Sequence, residues 1–242
     1  MKNQYFGDRN DFFKYDLVLN LIEKIENLKC FMFIPMLTED DDSDDGALTC
    51  YDGNRRKELD NFLKSCIKKS DRKVKNFRLF MSRYKHIEYH PYRDDKYFSH
   101  AEREQYFHSI HSSILNGSII LIDPDNGFEV KSMRSGTGHK YLKYSELSTI
   151  YARMDYNSLI LVYQHIPRVK REIFFTQIGQ KICKCTNTKN PMCLSDNRIV
   201  FFIIAKTDKL QNKTWRVLNN YAKEYKYDVY KYSDDFEYTQ YV

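Results

Sequence analysis

The residues best suited to chemistry lie in Ile119-Ile120-Leu121-Ile122-Asp123-Pro124-Asp125-Asn126-Gly127-Phe128-Glu129. A run of branched apolar residues ends there in a polar turn, as a buried parallel strand does when it delivers side chains to the carboxyl edge of a sheet. Asp123, Asp125 and Asn126 facing one ligand can accept hydrogen bonds from an exocyclic amine, hold a hard cation or serve as general base. Pro124 fixes the exit from the strand, Gly127 permits a tight bend, and Glu129 adds a third carboxylate. The competing reading is an Asp/Asn/Gly turn satisfied by its own side chains. A second constellation, Tyr163-Gln164-His165-Ile166-Pro167-Arg168, ends another apolar run. If the two strands are neighbours, Asp123 and His165 share one edge, with Gln164 and Arg168 available to a substrate. Arg168 suits a phosphate or carboxylate, or else caps the turn.

The acidic block Thr38–Gly46 follows the first apolar strand, and its Asp44 and Asp45 could join Asp123, Asp125, Glu129 and His165 around a divalent cation. Its simpler reading is an exposed loop. Ser135-Gly136-Thr137-Gly138-His139-Lys140 has the wrong glycine spacing for a P-loop and no Ser or Thr after the lysine, so it reads as a flexible loop able to close over the site. Cys183, Cys185 and Cys193 lack the fourth ligand that structural zinc needs. The remaining cysteines, Cys30, Cys50 and Cys66, read as free thiols.

Alternating strands and helices must position these residues. Helical spacing of Phe13, Leu17, Leu21, Ile22, Ile25 and Leu28 predicts a first helix, capped by Asn10 or Asp11. Strands are expected at Cys30–Leu37, at the run before Asp123, at Ser158–Tyr163 and at Arg198–Ala205, with Tyr227–Tyr232 closing the sheet. Helices are expected at Arg55–Lys68, His100–Leu115, Tyr144–Met154, Val169–Gln180 and Leu210–Tyr225. The fold class is therefore α/β, with three layers around a mainly parallel sheet. No composition break divides the 242 residues, so a single domain over 1–242 is expected, with a less regular basic segment at about 70–99. No apolar run approaches the ~20 residues of a membrane span, and no signal-peptide core follows Met1, so a cytoplasmic protein without membrane partners is expected.

Net charge is +6, and residues 54–85 hold twelve Lys/Arg against three Asp/Glu, so that segment carries +9 and the remainder −3. Arg55, Arg56 and the aromatics among them suit a nucleic-acid backbone. A solvated helix pair with lysines outside explains them equally well.

The motifs Tyr5-Phe6-Gly7-Asp8, Asp11-Phe12-Phe13-Lys14-Tyr15, Asp44-Asp45-Gly46, Asp123–Glu129, Lys140-Tyr141 and Tyr163–Arg168 resemble those of a bacterial and phage family of uncharacterised proteins. More distantly, the layout resembles the ribosomal-RNA adenine-N6 methyltransferases. That resemblance implies a Rossmann-like, methyltransferase-type sheet and S-adenosylmethionine as cofactor, held beside Asp11, Lys14 and Tyr15. It makes Asp123 the acceptor for a target amine and places Tyr163–Pro167 on the wall of a base pocket. Lys140 joins Glu129, Gln164, Arg168, Arg55 and Arg56 as a substrate-binding candidate. The chain departs from that family where its first strand ends without a glycine-rich turn, and where Asp125 and Asn126 replace a proline and an aromatic residue. Three readings follow: a DNA- or RNA-modifying enzyme on a methyltransferase-like fold, a metal-dependent nuclease or hydrolase, and a catalytically silent relative that binds nucleic acid or protein.

Overall fold

A computed structural model describes residues 1–41, 46–232 and 237–240. In chain order it has α1 (Arg9–Lys24), β1 (Cys30–Ile34), α2 (Lys57–Lys68), α3 (Phe77–Met81), β2 (Glu88–Pro91), α4 (Arg103–His108), β3 (Ser118–Ile122), β4 (Gly127–Phe128), β5 (Tyr141–Leu142) and α5 (Tyr144–Arg153). It continues with β6 (Leu159–His165), α6 (Arg171–Thr186), β7 (Met192–Ser195), β8 (Ile199–Ala205), α7 (Asp208–Tyr225), β9 (Asp228–Lys231) and β10 (Glu237–Gln240). Asp44 and Asp45, the cation candidates of the acidic loop, lie outside the described residues.

The main sheet runs β10-β9-β7-β8-β6-β3-β1-β2, and β4 pairs with β5 in a small second sheet. Strands β1, β3 and β8 are buried along their whole length, so both sheet faces must be covered. Alternate residues serve opposite layers: Phe31, Phe33, Ile119 and Leu121 pack with α1, α2, α3 and α7, while Met32, Ile34, Ile120 and Ile122 pack with α4, α5 and α6. The result is a three-layer mixed α/β fold. No helix among the described residues is long and apolar enough to cross a membrane.

The expectation of a mainly parallel sheet needs correction. β2, β1, β3 and β6 are parallel, but β8, β7, β9 and β10 pair antiparallel. The cause is the turn Asp196–Arg198, which joins β7 directly to β8 and is too short for a crossover. The segment 71–99, expected to be irregular, contributes α3 and the edge strand β2. The helix predicted over His100–Leu115 is reduced to α4 and a 3-10 turn at Ser112–Leu115. The helix at Val169–Gln180 begins at Arg171 and runs on through Cys183 and Cys185 to Thr186. All six cysteines are free.

After β1 the chain pairs β2 on one side and β3 on the other, which makes the β1/β3 boundary a topological switch point. The register Ile34–Ile122–Val162 brings the carboxyl ends of β1, β3 and β6 to one edge. Asp123 leaves β3 there, and His165 ends β6 there.

Candidate functional site

Helix α1 starts over that edge. Its cap is Asp8 rather than Asn10 or Asp11, because the Asp8 carboxylate accepts the Asp11 N–H at 2.9 Å. Gly7, at φ 92°, turns the chain into the helix, and its N–H donates to Asp11 Oδ2 at 3.1 Å. Helical spacing then sets Asp11 and Lys14 on one face, and the Lys14 Nζ donates to Asp11 Oδ1 at 2.7 Å and to Asp123 Oδ2 at 2.5 Å. All three are almost wholly buried. Burial opposes the Lys14 charge, but the carboxylates of Asp11 and Asp123 outweigh it and hold the pKa above the ordinary lysine value.

These residues line a cavity of about 450 Å³, with Met1, Tyr5, Pro124, Asp125, Asn126, Tyr163, His165 and Arg198 completing most of its wall. Its size falls within the range of small-molecule sites. Asp125 is buried, and its Oδ1 accepts no hydrogen bond among the described residues. The Met1 amino group lies 3.8 Å from that oxygen, and the Lys140 Nζ 3.7 Å from Oδ2, both beyond hydrogen-bonding range. Asn10 Oδ1 is likewise buried without a partner on the same cavity wall. Native proteins leave few buried acceptors unsatisfied, so two in one cavity mark a place for a donor-bearing ligand.

Two further groups are perturbed. Burial, reinforced by the Asp11 carboxylate, pushes the Asp8 carboxyl up to about 7. His165 is exposed at the end of β6, but desolvation of its ring nitrogens against the cleft wall lowers its pKa, and its ring meets the Tyr163 hydroxyl at 3.3 Å. Asp8 therefore gives a sharp pH test. A carboxyl raised on folding stabilises the protein below its ordinary value of 3.8, and that stability is lost as pH rises through about 7. Asn caps helices as well as Asp does. Asp8→Asn should thus melt close to wild type at pH 4 and about 5 °C above it at pH 8, given roughly 2–4 °C per kcal/mol for a chain of this size. Equal melting temperatures at both pH values would mean that Asp8 is not strained by its ionisation.

The other sequence candidates divide. Asp11, Lys14, Asp123, Asp125, Asn126 and His165 all line the cavity. Gln164 positions the turn: its Oε1 accepts the Phe128 N–H at 2.7 Å, and its Nε2 donates to the carbonyls of Asn126 at 3.0 Å and His165 at 2.7 Å. Gly127 is required beneath it, because a Cβ there would stand 2.0 Å from Gln164 Oε1. Lys140 reaches toward Asp125, and its carbonyl accepts the Asn126 N–H at 2.8 Å. Arg168 is exposed on the loop after β6.

Four assignments change. Tyr15 does not face the cavity: neighbouring helix positions diverge by about 100°, and its buried ring stacks on Phe77 at 3.8 Å. Glu129 caps α5, accepting the Tyr144 N–H at 2.8 Å. Arg55 and Arg56 are held away from the cleft by the Asp16 carboxylate at 2.7 and 2.8 Å, and Arg56 also by Glu23 at 2.9 Å. The segment Ser135–Lys140 is a 3-10 turn tied down by Arg103, which donates to the Gly138 carbonyl at 2.8 Å. Asp8, Asn10 and Arg198 were missed. Asp8 was visible only within the Tyr5-Phe6-Gly7-Asp8 motif and Asn10 only as a helix cap, and nothing local marked Arg198.

Comparison with protein-family models gave no match, and neither did comparison with curated proteins. Among the described residues, no three His, Cys, Asp or Glu side chains are grouped so as to hold a metal ion.

Proposed function

We propose that this chain is a nucleic-acid-modifying enzyme on a Rossmann-like, methyltransferase-type fold, acting in the cleft at the carboxyl ends of β3 and β6 with S-adenosylmethionine as methyl donor. The observation that carries the reading is the pair of buried, unsatisfied acceptors, Asp125 Oδ1 and Asn10 Oδ1, in a carboxylate-lined cavity beside the switch point. Support for the fold comes from the parallel run β2-β1-β3-β6 and from helices on both faces of the sheet.

The donor set fits the cofactor in charge. S-adenosylmethionine carries a sulfonium, an ammonium and a carboxylate group; Lys14 already engages Asp11 and Asp123, so Asp125 is the carboxylate left for the cofactor's cations. Asp125 and Asn10 would hold its N–H groups. The missing glycine turn is met in part by Met36, which adopts φ 41° after β1 although it has a side chain. The Met1 amino group now donates to the carbonyls of Met36 at 3.4 Å and Asp123 at 3.3 Å, so a ligand entering at that corner must displace it. When bound, the cofactor supplies an electrophilic methyl group.

The protein's own residues prepare the acceptor. Lys14 fixes the Asp123 carboxylate at the cleft floor, where it can accept an N–H of a target amine and orient its lone pair. His165, at the end of β6 on the same cleft wall, is the group placed to take the proton that the amine loses.

Calorimetry with S-adenosylmethionine, followed by methyl transfer from labelled cofactor to DNA and RNA oligonucleotides, tests this reading. One saturable site and label on an exocyclic amine are expected. No heat and no label would overturn it.

A further inference from the structure

The cleft floor is acidic, so a polyanionic substrate must keep its phosphates away from it. The rim has the opposite sign. The turn Asp196–Arg198 between β7 and β8 stands at the mouth, and its buried Asp196 organises it: Oδ1 accepts the N–H groups of Arg198 at 3.1 Å and Ile199 at 3.0 Å, while Oδ2 holds the Arg9 guanidinium at 3.4 Å. Arg171 joins the same turn through Asn197 and lies 3.1 Å from Asp228. The loop carrying Arg168 and Lys170 runs alongside, with the Ile166 N–H bonded to the Arg198 carbonyl at 2.9 Å. Arg168, Lys170 and Arg198 are exposed and have no ion-pair partner among the described residues. Five cations thus face Asp196, Asp228 and Glu172 at this rim.

Arg9 and Arg198 also mark a junction. Arg198 lines the main cleft, and Arg9 lines a second cavity of about 460 Å³ walled by Phe12, Phe13, Tyr51, Tyr225 and Tyr227. The first turn of α1 and the segment 46–52 contribute residues to the walls of both cavities.

We infer that the rim formed by Arg9, Arg168, Lys170 and Arg198 is the docking surface for the phosphodiester backbone of a single strand whose base enters the acidic cleft. The inference rests on the nucleic-acid reading above and locates its contacts. Separation of charge sets the register: guanidinium groups take the phosphates outside, and carboxylates take the amine-bearing base inside. The aromatic cavity beyond Arg9 is already occupied in part by the Arg55 guanidinium, 4.6 Å from the centre of the Tyr225 ring, so the strand's contacts are placed at the rim alone. The segment 54–85 is a poorer candidate, because no residue of it lines the cleft that the base would enter.

The test is fluorescence anisotropy of labelled 12-nucleotide DNA and RNA single strands with the full chain, between 50 and 200 mM salt. Arg9→Gln/Arg168→Gln/Arg198→Gln is compared with Lys68→Gln/Lys69→Gln/Lys75→Gln, and Arg168→Gln/Arg198→Gln guards against any effect of Arg9 on folding. The rim triple should weaken binding at least about 10-fold and flatten the slope of log K against log[salt] by about 2, since each phosphate contact on a single strand contributes about 0.7. The lysine triple should do neither. Unchanged binding by the rim variants overturns the inference while the nucleic-acid reading stands. Wild type that binds S-adenosylmethionine but no strand also overturns it. Rim-dependent strand binding without any heat from S-adenosylmethionine supports the rim and overturns the methyl-donor reading instead.

Discussion

Lys14→Met is expected to destabilise the fold by about 3–5 kcal/mol, the usual cost of removing one partner from a buried ion pair. Lys14 stands between the carboxylates of Asp11 and Asp123, each about 1% exposed, and Asp8 lies one helical turn before Asp11. Without the ammonium, these acids must ionise unpaired in a medium that disfavours charge, or remain protonated. The melting temperature should fall by about 10 °C at pH 7, on a scale of roughly 2–4 °C per kcal/mol. The sign with pH follows directly. Loss of Lys14 removes a charge that holds the Asp11 carboxyl down, so its folded-state pKa rises further, and the deficit is greatest above that raised value and shrinks as pH falls and the acid protonates. Lys14→Met/Asp11→Asn should recover part of the loss, because it removes one uncompensated charge. A Lys14→Met protein melting within 1–2 °C of wild type at pH 7 would show that the triad is not organised as described. The same geometry governs tests of Asp123. Its truncation to Ala strips Lys14 of a partner, so Asp123→Asn, which keeps a hydrogen-bond acceptor, is the cleaner probe of chemistry.

The distance over which each contact acts explains what could be read from the sequence. Ile119–Ile122 and Leu159–Val162 are continuous apolar runs because both of their faces are covered, and such runs are visible without any structure. The polar turns that follow them put Asp123 and His165 at strand ends, and on one edge provided the strands are neighbours, as β3 and β6 are. Lys14 is different. Its spacing gave a helix, but its partner Asp123 is 109 residues away, and nothing local announces the pair. Part of the basic stretch 54–85 was illegible for the same reason. Counting charges along the chain misses Asp16 and Glu23 on α1, which pair with Arg55 and Arg56 from a different element. Strand β7 is only Met192–Ser195 and sits in a cysteine-bearing connector, so its hairpin with β8, and with it the antiparallel half of the sheet, had no periodic signal to betray it. Arg9 and Arg198 look like ordinary surface cations until Asp196 draws them to one turn.

Asp125→Ala should separate stability from function in the opposite way to Lys14→Met. Asp125 is buried with an oxygen that accepts no hydrogen bond among the described residues, and its nearest cations stand at 3.7 and 3.8 Å. A carboxylate held so is a cost to the folded state, since desolvating an acceptor without a partner takes about 1–3 kcal/mol. Removing it should leave the melting temperature unchanged or raise it by a few degrees. Binding should suffer. A hydrogen bond to a charged group contributes about 1.5–3 kcal/mol, so affinity for S-adenosylmethionine should fall on the order of 10–100-fold. Stability gained where binding is lost is the signature of a group kept for its ligand. Loss of stability in Asp125→Ala, with affinity intact, would make this residue a structural member of the Asp123–Gly127 turn and move the ligand's donors to Asn10 and Asp8. Calorimetry and thermal melts on the same preparation decide between the two. The comparison needs no assumption about the base that enters the cleft, because Asp125 is asked only to accept a donor that the described residues do not supply.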